Sequence, residues 1–132
     1  EGVDKLLSSA GPAVENLELI ASIRGVISRK GIERALRRVG LDPNDRRIYK
    51  QFSLGMKQRL ELAQAIMEGP SLLLLDEPSN ALDSHGLELL CCIIREEHER
   101  GATVLLAAHN TPELTELSSR QFEMYEGKLT EK

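Results

Sequence analysis

A mixed α/β fold, with helices packed on a parallel sheet, is what this sequence predicts, and three observations predict it. Of the 132 residues 41% are hydrophobic, yet only 3% are aromatic and none is Trp. The interior must therefore be filled by Leu, Ile, Val and Ala, the stock of helices on a parallel sheet rather than of an all-β sandwich. Apolar residues follow the helical period as far as Gly69. Beyond it, short continuous apolar runs alternate with helical stretches, the rhythm of a parallel sheet.

Taken in order, the first dozen residues end in Ala10-Gly11-Pro12 without a strong period and read as an edge or loop. The run from Val14 to Ile23 favours a helix that Gly25 can end. Ile32, Ala35, Leu36 and Val39 recur at i, i+3, i+4 and i+7, and Gly40 follows as a C-terminal cap. After the polar loop DPNDRR, Ser53 caps a helix whose apolar positions are Met56, Leu60, Ala63 and Met67, up to Gly69-Pro70.

At Leu72 the pattern changes to LLLLD, which fits a strand buried on both faces better than a four-residue helix. Asp83 or Ser84 opens a helix with Leu87, Leu90, Cys91 and Ile94 on one face, ending near Gly101. Thr103 to Ala107 reads as a second buried strand and Pro112 to Leu117 as a short helix. Gln121 to Tyr125 and Lys128 to Thr130 form a terminal hairpin around Glu126-Gly127.

The net charge of -4 argues against a general nucleic-acid binder, whose affinity comes from neutralising phosphates. Nine basic residues (Arg24, Arg29, Lys30, Arg34, Arg37, Arg38, Arg46, Arg47, Lys50) nevertheless stand against Glu33, Asp42 and Asp45 between Arg24 and Lys50. They read as a solvated helical face, with a docking surface for a membrane partner or lipid headgroups as the alternative. Cys91 and Cys92 are adjacent, and helical neighbours point about 100° apart, which does not suit a mutual disulfide. At least one is expected to be buried as a small hydrophobe, in a reducing compartment. No apolar run approaches the roughly 20 residues of a membrane span, so a membrane role is expected to be peripheral.

A buried strand ending in two consecutive acids puts Asp76 and Glu77 at the carboxyl edge of the sheet, where ligands of open α/β folds collect. Side by side, two buried carboxylates are costly without a cation. A Mg²⁺ held through Asp76 offsets that cost and leaves Glu77 to polarise a water. Two solvated acids at a strand end are the plain alternative. Ser53 and Gly55 begin a helix, where free N–H groups and the dipole favour an anion. His85 and His98 have no motif around them and read as surface or packing residues.

In company, these segments resemble the later part of an ABC-type ATP-binding domain. FSLGMKQRL at Phe52 to Leu60 is similar to the family's signature segment, LLLLDEP at Leu72 to Pro78 to its Walker B strand, NALD at Asn80 to Asp83 to its D-loop, and Ala107-Ala108-His109 to its switch histidine. Four motifs stand in family order, and the resemblance is specific from about Asn16 to Lys132. Leu54 stands where many members have Gly and Met56 where many have Gln, a variant common in bacterial exporters of drugs and peptide antibiotics.

The resemblance implies a partial P-loop ATPase (RecA-like) fold. Residues 1–13 would be the edge of a missing N-terminal part, 14–69 a helical signature subdomain and 70–132 the later part of the ATPase core. It also implies ATP and Mg²⁺ as cofactors, with Asp76 on the metal and Glu77 and His109 as catalytic groups. Ser53, Gly55 and Met56 would meet the γ-phosphate of ATP held by a second subunit, and Asp83 would cross the dimer interface or cap its helix. The partners implied are a transmembrane subunit and a second ATP-binding subunit, arranged head to tail at the inner face of the cell membrane, without nucleic acid.

A P-loop, G-x-x-x-x-G-K-[ST], is absent, because the only Gly-Lys pair is Gly127-Lys128 and Leu129 follows it. The family's Q-loop glutamine is also missing, since the first Gln is Gln51, and no aromatic precedes Tyr49 to stack on adenine. In the family the strand leading to the P-loop lies between the strands ending near His109 and containing Phe122, so a gap or exposed edge is expected there. The chain alone is expected to be inactive, as a fragment or truncated product. Two other readings stay open: a non-catalytic module completing another subunit's site, and a soluble ABC ATPase of DNA repair or translation.

Overall fold

The computed structural model describes residues 17–18, 28–109 and 111–132. Of the helix expected over Val14 to Ile23, only Leu17 and Glu18 are among them; both are helical and Leu17 is fully buried. The remainder of that helix, Gly25 and residues 1–13 lie outside the described residues.

Helix α1, Arg29–Arg38, is opened by Ser28, whose side chain accepts from Gly31 N–H at 3.3 Å, and it buries Ile32, Ala35 and Leu36. It closes as the sequence predicts. Gly40 takes a left-handed φ of 78°, its N–H donates to Arg37 O at 3.0 Å and the Leu41 N–H to Leu36 O at 2.9 Å. That pair of bonds is the Schellman arrangement, which satisfies the last carbonyls where only Gly turns the chain without strain.

Tyr49–Gln51 form one 3₁₀ turn, and helix α2, Leu54–Ile66, follows. α2 buries Leu60, Leu62, Ala63 and Ile66 against α1 and the first strand, while Met56 is only partly buried. Strand β1, Leu72–Asp76, pairs in parallel with β2, Thr103–Ala107, through helix α3, Ser84–Glu99. A short helix α4, Pro112–Leu117, packs on α3.

One expectation needs correction, and one break in the sheet falls where it was expected. β1 and β2 are covered on one face only. Leu73 and Leu75 are buried, whereas Leu72, Leu74 and Leu105 are each more than half exposed. The run LLLLD carries leucine on both faces, but among the described residues helices cover only the Leu73–Leu75 side. The third strand also does not extend this sheet: β3, Phe122–Tyr125, pairs antiparallel with β4, Lys128–Glu131, in a separate two-stranded sheet. The expected discontinuity between the strand ending near His109 and the strand containing Phe122 is therefore present. The hairpin turns where Glu126 and Gly127 both have positive φ, 49° and 78°, as a type I′ turn requires.

Of the two cysteines, Cys91 is buried and Cys92 exposed, and burial pushes the Cys91 thiol up from its ordinary value. The described basic residues Lys30, Arg34, Arg37, Arg46 and Lys50 face solvent, as do His85 and His98. No described helix is long and apolar enough to cross a membrane.

One buried carboxylate ties the layers together. Glu97 on α3 is 2% exposed and accepts from Arg38 Nη2 of α1 at 3.1 Å and from Arg100 Nη2 at 2.9 Å. Arg100 also donates to Pro70 O, just before β1, at 2.5 Å. Two charged donors offset the desolvation of the carboxylate, which would otherwise cost several kcal/mol. Replacing Glu97 by Ala is expected to lower stability by about 2–3 kcal/mol, and Glu96→Ala on the exposed side by less than about 0.5 kcal/mol. Chemical denaturation of the two variants checks the contrast.

Candidate functional site

The site is built where β1 and β2 end. Their register pairs Asp76 with Ala107, so the residues that follow each strand emerge side by side. Pairing continues one residue further, because the Glu77 N–H donates to Ala107 O at 2.6 Å. There β1 turns sharply: Glu77 adopts φ 49°, and four residues on Ala81 adopts φ 63°. Left-handed conformations cost a non-glycine residue roughly 1–2 kcal/mol each and persist only where surrounding bonds over-determine them. Here those bonds are visible. Glu77 O accepts from Asn80 N–H and from Gln58 Nε2, each at 3.2 Å, and the Leu82 N–H donates to Ser79 O at 3.2 Å.

The turn brings Glu77 to His109. Glu77 Oε1 lies 2.5 Å from His109 Nδ1, with the imidazole 94% exposed and the Glu77 side chain 26% exposed. Asp76, exposed at the strand's carboxyl end, immediately precedes them. Asp76, Glu77 and His109 thus share one sheet edge.

Ser53 and its neighbours form a second part of the site. Tyr49 and Phe52 are buried with ring centroids 6.3 Å apart, and Lys57 Nζ and the Arg47 guanidinium sit over their respective rings at 5.0 and 5.7 Å. These contacts fix the approach to α2 and leave Ser53 exposed as its cap, accepting from Met56 N–H at 3.1 Å. Met56 therefore spends its backbone donor on the cap, and Leu54 and Gly55 carry the N–H groups that lack an intrahelical acceptor. Leu54 is 70% exposed.

An open groove of about 520 Å³ includes this tip in its lining, with Gly40, Asp42, Arg47, Ala81 and Asp83. Arg47 chelates Asp45 at 2.7–3.1 Å. The Arg47 side chain, and after it the Arg47 backbone N–H, hold the Asp45 carboxyl below its ordinary value. Asp83 caps α3, accepting from Gly86 N–H at 2.8 Å, while its side chain remains 77% exposed.

Two residues to which sequence reasoning assigned no role connect the parts. Gln58 reaches the Glu77 carbonyl, and Arg59 donates to Val39 O at 3.4 Å and approaches Asp83 Oδ1 at 4.0 Å. Gly55, Gln58 and Arg59 share one helical face by their i, i+3, i+4 spacing. A Cβ at Gly55 would stand 3.0 Å from Ala81 O, so the helix and the loop after β1 are in backbone contact there. The only available signal was the presence of both polar residues within FSLGMKQRL.

A sequence model of the ABC transporter family matches residues 5–80. The bacitracin transport ATP-binding protein BcrA of Enterococcus faecalis is 42% identical over 118 residues, covering 89% of this chain and 38% of its own length. The lantibiotic transport ATP-binding protein SrtF of Streptococcus pyogenes is 40% identical over 117 residues, 89% of this chain and 51% of its own. The dimeric structure of MJ0796, a bacterial ABC transporter cassette, superposes with a TM-score of 0.78 at 27% identity, over 90% of this chain and 56% of that one. The chain spans roughly two fifths and one half of the length of these two relatives.

Ser53→Ala removes the acceptor for the Met56 N–H and is expected to cost about 1 kcal/mol, against a few tenths for Ser53→Gly. Urea titration of the two variants reads the difference.

Proposed function

Since this chain belongs to the ABC transporter family, we propose that it carries the signature and hydrolytic-carboxylate portion of the ATPase subunit of an exporter. The observation that supports this most directly is the 2.5 Å contact between Glu77 and His109 at the sheet edge that also bears Asp76. A basic carboxylate, an imidazole and a cation donor in one row are what in-line attack of water on a terminal phosphate requires.

In this reading Glu77 takes the proton of the attacking water. His109, with Nδ1 on the carboxylate, orients it and reaches toward the terminal phosphate from the same edge. Asp76 supplies the protein's donor to Mg²⁺. One exposed carboxylate at the sheet edge suits an ion that takes one or two carboxylates and completes its shell with phosphate and water. When bound, Mg²⁺ supplies charge neutralisation on the phosphates. The tip at Ser53, Leu54 and Gly55 offers N–H groups to a phosphate held by a second subunit, head to tail, and Asp83 stands exposed beside it. A transmembrane subunit at the inner face of the membrane completes the assembly. The relatives named for bacitracin and lantibiotic transport make a peptide antibiotic the cargo class we favour.

One observation favours a second reading. The signature tip is exposed and capped, which suits a module that completes a partner's site through that tip.

Two measurements test these readings. Once the chain is completed by a P-loop-bearing segment, Glu77→Gln is expected to lower ATP turnover by about 10³-fold or more while ATP binding persists. Near-parental turnover in that variant removes the base assignment. A fluorescent ATP analogue is expected to bind only when a P-loop-bearing partner is added to the isolated chain, and absence of binding in the mixture counts against the module.

A further inference from the structure

We propose that Gln58 is a positioning residue for the Glu77 carboxylate, coupling the tip of α2 to the hydrolytic centre; this rests on Glu77 being the base. The argument starts from the turn. Glu77 sits at φ 49°, a conformation it does not hold unaided, and both of its peptide groups are tied. On the strand side its N–H donates to Ala107 O of β2 at 2.6 Å. On the helix side its carbonyl accepts from Gln58 Nε2 at 3.2 Å, with Asn80 N–H as the other donor. With N–H and carbonyl both fixed, the direction of the Cα–Cβ bond is set, and the carboxylate meets His109 Nδ1 at 2.5 Å.

Gln58 is the side chain through which α2 takes part in that clamp. It lies on the same face of the helix as Gly55, which approaches Ala81 O, and Arg59, which approaches Asp83 Oδ1. The face therefore touches the loop after β1 near its beginning, middle and end. Gln58 lies five positions beyond Ser53, about 7.5 Å along the axis. A displacement of the exposed tip on meeting a ligand is delivered, within little more than one helical turn, to the carbonyl of the hydrolytic residue. The proposed phosphate contact in one subunit's groove would thereby govern the carboxylate serving the other nucleotide.

The test uses the chain completed by a P-loop-bearing segment, with ATP as the probe, and compares Gln58→Ala, Gln58→Glu and Glu77→Gln. Gln58→Ala is expected to lower kcat about tenfold with KM for ATP changed less than about twofold, the loss of one hydrogen bond acting on the transition state alone. Gln58→Glu keeps the size of the side chain but donates only while its carboxyl is protonated. Its kcat relative to the parent is therefore expected to rise as pH falls from about 6.5 to about 4.5. A packing role alone would not produce that profile, and Gln58→Glu decides the matter if Gln58→Ala does not fold. A Gln58→Glu profile parallel to the parent, with kcat within about twofold, overturns the proposal. Turnover lost in Glu77→Gln but intact in both Gln58 variants removes the positioning role alone. Turnover that survives in Glu77→Gln removes the base and the positioning role together.

Discussion

The parallel register of β1 and β2 is the constraint from which the rest of the site follows. Because Asp76 lies opposite Ala107, the two strands finish level. The residues leaving them, Glu77 and His109, then meet without either side chain having to reach far. A two-residue slip in that register would part them by about 6.6 Å along the sheet, well beyond any hydrogen bond. The register is itself set by burial, since Leu73 and Leu75 must face the helices and a one-residue slip would turn them outward.

Helices α2 and α3 make that register tolerable for a two-stranded sheet. Two strands alone are marginal in water, and packing against helices is what gives them independent stability. The cover here is one-sided. Leu73, Leu75, Leu90 and Ile93 are nearly inaccessible, whereas Leu72, Leu74 and Leu105 stay more than half exposed. Glu97 binds α1, α3 and the entry to β1 through Arg38 and Arg100, a polar tie spanning what the apolar core covers on only one side. The strained turn at Glu77 is affordable because it is bonded to both neighbours at once, the strand through its N–H and the helix through its carbonyl.

Local chemistry was legible in the sequence and distant contact was not. Ser53 and Asp83 as caps, Gly40 as a helix stop and Glu126-Gly127 as a hairpin turn each depend on bonds within three or four residues, which spacing reveals. The placement of Glu77 beside His109 came from recognising neighbouring motifs in order, since 32 positions separate them and no period connects them. What escaped was of longer range or set by absence. Gln58 lies 19 residues from the carbonyl it holds, and Arg38 lies 59 from Glu97. Nothing in their own surroundings marks those pairings. LLLLD gave no sign of which leucines would be left bare, because a continuous apolar run looks the same whether one face is covered or two.

The energetics assign different work to the two parts of the site. An exposed helix end contributes about 0.3–1 kcal/mol toward an anion, while micromolar binding of a nucleotide requires about 8 kcal/mol. The tip at Ser53 therefore supplies only a small fraction of the affinity, under the proposed reading, and most of it must come from a phosphate-binding loop of the kind this sequence does not contain. A contact so weak is a poor anchor but a good sensor. It forms when a nucleotide is already held nearby, and a free energy of that size can bias the position of α2 by at most about fivefold. What gives the tip its importance is then its connection to Glu77 through the 55, 58, 59 face. Under the proposed reading, a helix end that binds little yet is tied through Gln58 to the Glu77 backbone carbonyl can influence when hydrolysis occurs without setting how tightly ATP is gripped.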